Sequence, residues 1–216
     1  MGVLPRIGAE VSLTQRAYEV LREAILSNAF RPGQILSEET LAAELAISRT
    51  PVRAALKQLE FEHMVVLNPS KNIVVADISR SDLRDVTTAR QTLEPVAVKL
   101  LADRIGTDQL RQLRDQIGLQ RQALTNEDIA GLIRLDYAFH MHIARFAGNR
   151  WIAEMVDTVN LASRRYMGLS EHAARHWEAT VREHTEIVDL IEQKKGNMAA
   201  ECMRHHIGQL TAWLLH

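Results

Sequence analysis

The chain has 216 residues, 46% of them hydrophobic, which is enough for a packed core and excludes a disordered polymer. Its formal net charge of −1 excludes a global basic field, so any contact with a polyanion has to come from local clustering. The single cysteine, Cys202, excludes an internal disulfide framework, and no segment approaches the roughly 18 apolar residues of a membrane span, so a soluble cytoplasmic protein is expected.

Residues 12–29 open with Ser12 as N-cap and place Ala17, Val20, Leu21, Ala24 and Ile25 at helical spacing before Arg31-Pro32-Gly33 ends the pattern. Ser37 opens a second, short helix with Leu41, Ala42 and Leu45 on its apolar face. After a turn at Ile47-Ser48, Ser48 or Thr50 caps a third helix that tolerates Pro51 in its first turn. Val52, Ala55, Leu56 and Leu59 face inward on this helix, while Arg49, Arg53 and Lys57 recur every four residues on another face. Met64–Leu67 and Ile73–Val75 are β-rich runs around the turn cluster of residues 68–72, which predicts a hairpin.

Beyond Asp77 only helical periods remain, so a domain boundary is placed near 76–80. The predicted helices span 80–105 (bent at Pro95), 107–124 (capped by Thr107), 127–147, 149–167, 171–194 and 197–215. The fold class is mainly α. A winged helix-turn-helix over 12–76, three helices plus a β-hairpin, precedes an all-helical bundle over 80–215.

Two readings of the Arg49, Arg53, Lys57 stripe compete. Residues 12–76 hold seven Lys/Arg and seven Asp/Glu, as a solvated salt-bridging face would. A short helix, a turn, the striped helix and a hairpin in that order are also the parts of a winged helix, whose second motif helix enters the major groove. In the C-terminal part, Asp136 and His140 stand four apart on one helix, His184 lies on a later helix and His206 on the last. Three imidazoles and a carboxylate suit a borderline divalent cation such as Zn²⁺, Ni²⁺ or Mn²⁺, although nine histidines scattered through a chain also supply ordinary core and surface positions.

The stretch LSEETLAAELAISRTPVRAALKQLE resembles the GntR family of bacterial winged-helix transcription regulators, with Ser-Arg-Thr-Pro-Val-Arg as the recognition-helix signature and a match running from Ser12 through Ala76. The resemblance implies that Arg49, Thr50 and Arg53 contact DNA, with Ser48 and Lys71 assisting at turn and wing. Glu39 stands where many members carry Arg, and His63 and Asn72 stand where Gly is usual; both residue types tolerate positive φ.

ARQTLEPVAVKLLA, DYAFHMHIARFAGN and EHTEIVDLIEQKKGNMAAECMRHHI resemble the FCD effector domain attached to many such regulators. By that resemblance Asp136, His140, His184 and His206 are the metal ligands, and Arg90 reaches into an effector cavity to hold a carboxylate with its two-pronged donor set. The other reading of Arg90 is a salt bridge to Glu94, one turn on. His142, His172, His176 and His205 are read as structural or solvent-facing.

The expected function is that of a DNA-binding regulator, more specifically a repressor. It would act as a homodimer on a palindromic operator and respond to a small organic acid bound at the metal. The alternative is a metal-dependent hydrolase using the three histidines and Asp136, for which the sequence offers no compelling general base.

Overall fold

Ser12 starts the first helix by accepting the Gln15 N–H at 3.1 Å, and α1 runs Leu13–Leu26. In this computed structural model residues 12–68, 72–169 and 176–215 are described, with Met1–Asp77 and Ile78–His216 forming two separate units. In the first unit α1 packs on α3 (Arg49–Phe61), burying Ala17, Leu21 and Ile25 on one helix and Val52, Ala55, Leu56 and Leu59 on the other. Between them α2 spans Glu38–Glu44, and the chain turns into α3 through Ala46 at φ 53°. Ser48 is the N-cap of α3 by backbone conformation, without a side-chain cap bond. Pro51 falls in the first turn, where N–H groups have no helical acceptor to lose.

His63, at φ 56°, ends α3 in the left-handed region as expected for a residue in a glycine's place. Strands β2 (Val65–Leu67) and β3 (Ile73–Val75) pair antiparallel, Val65 opposite Val75 and Leu67 opposite Ile73. The predicted hairpin therefore forms, and a strand that the periodicity did not foretell joins it. Strand β1 (Ile35–Leu36) pairs with β3 on its other side, giving the sheet order β1-β3-β2. Gly33, at φ 77°, makes this possible: the chain folds back and its N–H donates to the Val75 carbonyl at 2.9 Å.

Among its described residues the second unit has helices and no strand. It contains α4 (Arg80–Arg104), α5 (Thr107–Thr125), α6 (Ile129–Phe146), α7 (Arg150–Leu169), α8 (Trp177–Glu192) and α9 (Gly196–Leu215). A reciprocal Ser79–Asp82 capping box opens α4, which continues without interruption through Pro95. The N-cap of α5 is Gly106 rather than Thr107, its N–H held by Gln109 Oε1 at 3.1 Å. The first turn predicted for the 171–194 helix falls largely within residues 170–175, outside the described residues, and α8 begins at Trp177.

Helix α4 packs against α7 and α9, and α5 against α6 and α8, around a core that includes Val98, Leu101, Leu113, Phe139, Ile143, Ile187, Met203 and Ile207. Phe139 is fully buried and stacks on His184, with ring centroids 4.0 Å apart. Phe139→Ala is expected to destabilise the helical unit by about 3–5 kcal/mol, the usual cost of deleting a buried aromatic ring. Denaturant unfolding of wild type and variant under identical metal-free conditions measures this.

Candidate metal centre and nucleic-acid interface

Helix α6 presents Asp136 and His140 one turn apart, α8 presents His184 and α9 presents His206; all four are buried, with one potential ligand atom from each within 4.8 Å of the others. Neighbouring residues fix which atoms meet. His140 Nδ1 bonds Glu94 Oε2 on α4, His206 Nδ1 lies 2.7 Å from Glu183 Oε2 on α8, and His184 Nδ1 lies 3.0 Å from Gln120 Oε1 on α5. The Gln120 amide is itself oriented, because its Nε2 donates to the Leu135 carbonyl at 3.2 Å. Ionised carboxylates and an amide oxygen only accept, so each ring carries its proton on Nδ1 and turns the lone pair of Nε2 inward.

The inward atoms crowd together. His184 Nε2 stands 3.1 Å from His206 Nε2, which stands 3.3 Å from His140 Nε2; Asp136 Oδ1 is 3.6 Å from His184 Nε2 and 3.8 Å from His140 Nε2. Neither Asp136 oxygen has a hydrogen-bond partner, although both are shut off from solvent. Three lone pairs and an unpartnered carboxylate at this spacing repel unless a cation lies among them. A proton on His184 or His206 is disfavoured, since burial and the neighbouring histidines and Arg90 push His184 well below the ordinary histidine value, and burial likewise lowers His206 despite the opposing pull of Glu183. A divalent metal fits the donor set and its size. Ligand atoms about 2.1 Å from a tetrahedral ion stand about 3.4 Å apart, and cis ligands of an octahedral one about 3.0 Å.

Arg90, 2% exposed, lies behind this cluster. Its Nε donates to Glu94 Oε1 at 2.6 Å and its Nη1 to Ser163 Oγ of α7 at 2.8 Å, while Nη2 has no partner. Both readings of Arg90 thus keep a physical basis, with one change. The fork is already partly committed to Glu94 and Ser163, so what remains for an acid is centred on Nη2 rather than on two free prongs. Glu94 also accepts from Asn160 Nδ2 at 3.3 Å. Burial alone would raise its carboxyl, yet Arg90 and His140 hold it well below the usual carboxylate range.

Sequence reasoning named the four converging residues but not their orienting partners Gln120 and Glu183, and it cast Glu94 only as a salt-bridge partner. Of the other histidines, His205 is exposed beside buried His206, His142 and His176 are half-buried, and His172 lies outside the described residues.

In the first unit, α3 sorts its side chains as the spacing predicts. Ser48, Arg49, Thr50, Arg53 and Lys57 are exposed, while Val52, Ala55, Leu56 and Leu59 are buried. Lys71 lies outside the described residues. Arg53 is held by Glu38, the first residue of α2, through a bidentate ion pair whose shortest contact is 2.7 Å. Helix N-terminal amides, two guanidinium groups and two hydroxyls share one exposed surface, the chemistry that phosphates and guanine edges require.

Residues 13–75 match the family model for bacterial regulatory proteins of the gntR family, and residues 85–209 match the FCD domain. The chain belongs to the GntR family and carries an FCD domain. It is a DNA-binding transcriptional regulator, not an enzyme, which removes the hydrolase alternative. An HTH-type transcriptional regulator of Streptomyces ambofaciens is 30% identical over 192 residues, spanning 88% of this chain and 80% of its own. The Escherichia coli transcriptional repressor RspR is 23% identical over 211 residues, 98% of this chain and 92% of its own. Among solved structures, E. coli McbR/YncC shares the fold with a TM-score of 0.85 at 22% identity, covering 95% of this chain and 98% of that one.

The buried histidines also set a pH dependence. His184 and His206 hold protons less tightly in the fold than the ordinary value of 6.5 seen in the unfolded chain. Below pH 6.5 the unfolded state therefore takes up protons that the folded state refuses, and stability is lost as pH falls towards the depressed values. With metal chelated, the melting temperature of the regulator is expected to drop steadily as pH falls below 6.5. Replacing His184 and His206 together by Gln flattens that slope in the same buffers.

Proposed function

We propose that this regulator is a ligand-responsive repressor in the cytoplasm whose DNA affinity is set by a small organic acid bound at a divalent metal. Residues 12–76 form the DNA-reading module and 80–215 the effector and dimerisation module. Asp136, His140, His184 and His206 hold the ion, with zinc, nickel or manganese the candidates that an imidazole-rich site accepts. Convergence of three Nε2 lone pairs on a carboxylate with no partner of its own is the observation that carries this reading. When bound, the metal supplies positive charge and open positions for the oxygen atoms of an acid, and the buried Nη2 of Arg90 offers a second contact for the same ligand. That one donor sits behind the cluster while the ligand atoms face inward favours a molecule with at least two oxygen-bearing groups.

At the DNA end, Arg49 and Arg53 reach base edges and phosphates from the N-terminal half of α3, with Ser48 and Thr50 beside them, and Lys71 adds a further contact. Two chains bring two recognition helices to successive major grooves, so the operator is palindromic with half-sites about one helical turn apart. The names of relatives support the regulatory role, RspR being a repressor in E. coli.

Metal content, metal affinity and acid binding test the proposal. Elemental analysis of protein purified without added metal should give close to one divalent ion per chain, and chelation should lower the melting temperature, because the ion ties α6, α8 and α9 together. A content near zero that stays near zero after incubation with Zn²⁺, Ni²⁺ or Mn²⁺ removes the metal from the proposal. Gln120→Leu, which frees His184 to rotate and to change tautomer, should weaken metal binding about 10–100-fold. A thermal-shift screen of sugar acids, hydroxy acids and dicarboxylates on the metal-loaded protein should yield an acid that changes DNA affinity and binds more weakly to Arg90→Ala. Hits that bind the variant equally well eliminate Arg90 as a contact.

A further inference from the structure

Arg53 is bound within the protein before any DNA arrives. Its Nε lies 2.9 and 3.0 Å from the two oxygens of Glu38, and its Nη2 donates to Glu38 Oε2 at 2.7 Å. The pair spans the helix-turn-helix, from the first turn of α2 to the second turn of α3, and its side chains are 24% and 57% exposed for Glu38 and Arg53. Glu38 also lies in the field of Arg49 and Lys57, so one carboxylate faces the whole cationic stripe.

A guanidinium group has two edges that present parallel N–H donors, one formed by Nε with Nη2 and the other by Nη1 with Nη2. Glu38 occupies the first edge. The second remains, and it is a donor pair of the kind that matches O6 and N7 of guanine. Fixing the first edge turns a long, flexible side chain into a planar group of set orientation, which a base edge can use and a phosphate does not need.

We propose that Glu38 is a positioning residue for sequence reading: it orients Arg53 so that the Nη1–Nη2 edge meets a base, while its negative charge reduces the stripe's attraction for DNA backbone. The two effects act in opposite directions. Positioning strengthens binding to the cognate duplex, and the carboxylate charge weakens binding to every duplex. Glu38 therefore raises the ratio between cognate and non-cognate affinity, more than it raises affinity itself. The inference rests on the reading of α3 as the DNA-contacting helix.

The test uses the full-length protein and two DNA probes, a duplex selected by the wild-type protein from a random pool and a scrambled duplex of the same composition. Dissociation constants are measured at fixed salt for wild type, Arg53→Ala, Glu38→Gln and Glu38→Asp. Glu38→Gln keeps the size but has one acceptor oxygen; Glu38→Asp keeps the charge but is one methylene short.

The expected result for Glu38→Gln is a loss of about tenfold on the selected duplex, the scale of one bidentate base contact, with equal or tighter binding to the scrambled one. Glu38→Asp should also lose affinity for the selected duplex, although its charge is intact. If Glu38→Gln tightens both duplexes in parallel, or keeps the wild-type ratio between them, Glu38 is not a positioning residue. A Glu38→Asp variant that binds the selected duplex as wild type does points to charge alone and likewise overturns the proposal. Should Arg53→Ala bind the selected duplex like wild type, the underlying reading of α3 falls; a weakened Arg53→Ala beside an unchanged Glu38→Gln ratio removes only the role of Glu38.

Discussion

Each imidazole of the buried cluster has its Nδ1 committed to an acceptor on the far side of the ring, and the rest of the helical unit is arranged around that constraint. Glu94, Gln120 and Glu183 come from three helices, α4, α5 and α8, and each dictates the tautomer of a histidine on a different helix. The unit therefore brings five helices to one point, counting α6 and α9. Without a cation the inward atoms repel and Asp136 keeps two buried oxygens without donors. A cation held by the same atoms would cross-link α6, α8 and α9. Phe139 closes one side of the cluster by stacking on His184, so apolar packing and polar orientation hold the same ring.

What could be read in the sequence follows from the range of the interactions concerned. The face of α3 was legible because burial of Val52, Ala55, Leu56 and Leu59 depends on helical period alone, and period is a local property. The hairpin was legible because two β-rich runs flank a turn cluster. Strand β1 was not, since two residues carry no period and pair only because Gly33 folds the chain back on β3. Asp136 and His140 were legible as a pair at four-residue spacing, and His184 and His206 entered chiefly through resemblance to a family. Their orienting partners were hidden, because Gln120 lies 64 residues from His184 and Glu183 lies 23 from His206, separations fixed only by helix packing. Glu94 was visible as an i,i+4 partner of Arg90, but its second oxygen, which serves His140, was not.

The nucleic-acid unit solves a different electrostatic problem. A neutral module has no long-range pull on DNA, so its cations have to be concentrated on one helix face, where Arg49, Arg53 and Lys57 repel one another. A carboxylate at the start of α2 relieves that repulsion and also sits at the helix end where negative charge is favoured. The hydrogen bond from Arg53 holds Glu38's carboxyl below its ordinary value, outweighing the small effect of burial, so the pair stays charged down into the acid range. An exposed ion pair of this sort adds little to stability. Its geometric definition, with three close contacts between one fork and one carboxylate, is what it contributes.

A regulator needs its two sites to influence one another, and an acid alters DNA affinity only by binding one arrangement of the chain better than another. Helix α4 has the position for this role. It begins at Arg80, directly after the residues that follow β3, and it carries both Arg90 and Glu94. One oxygen of Glu94 receives Arg90 and Asn160 while the other holds His140, so on the proposed reading the acid-binding arginine and a metal ligand share a single carboxylate. On that reading a ligand drawn to Arg90 Nη2 competes with or reinforces the contacts of Glu94, whose side chain links α4 to His140 on α6 and Asn160 on α7. On the proposed reading metal and acid both act on the first helix of the second unit, and linkage requires the reverse as well: DNA binding would change the affinity for the acid by the same factor.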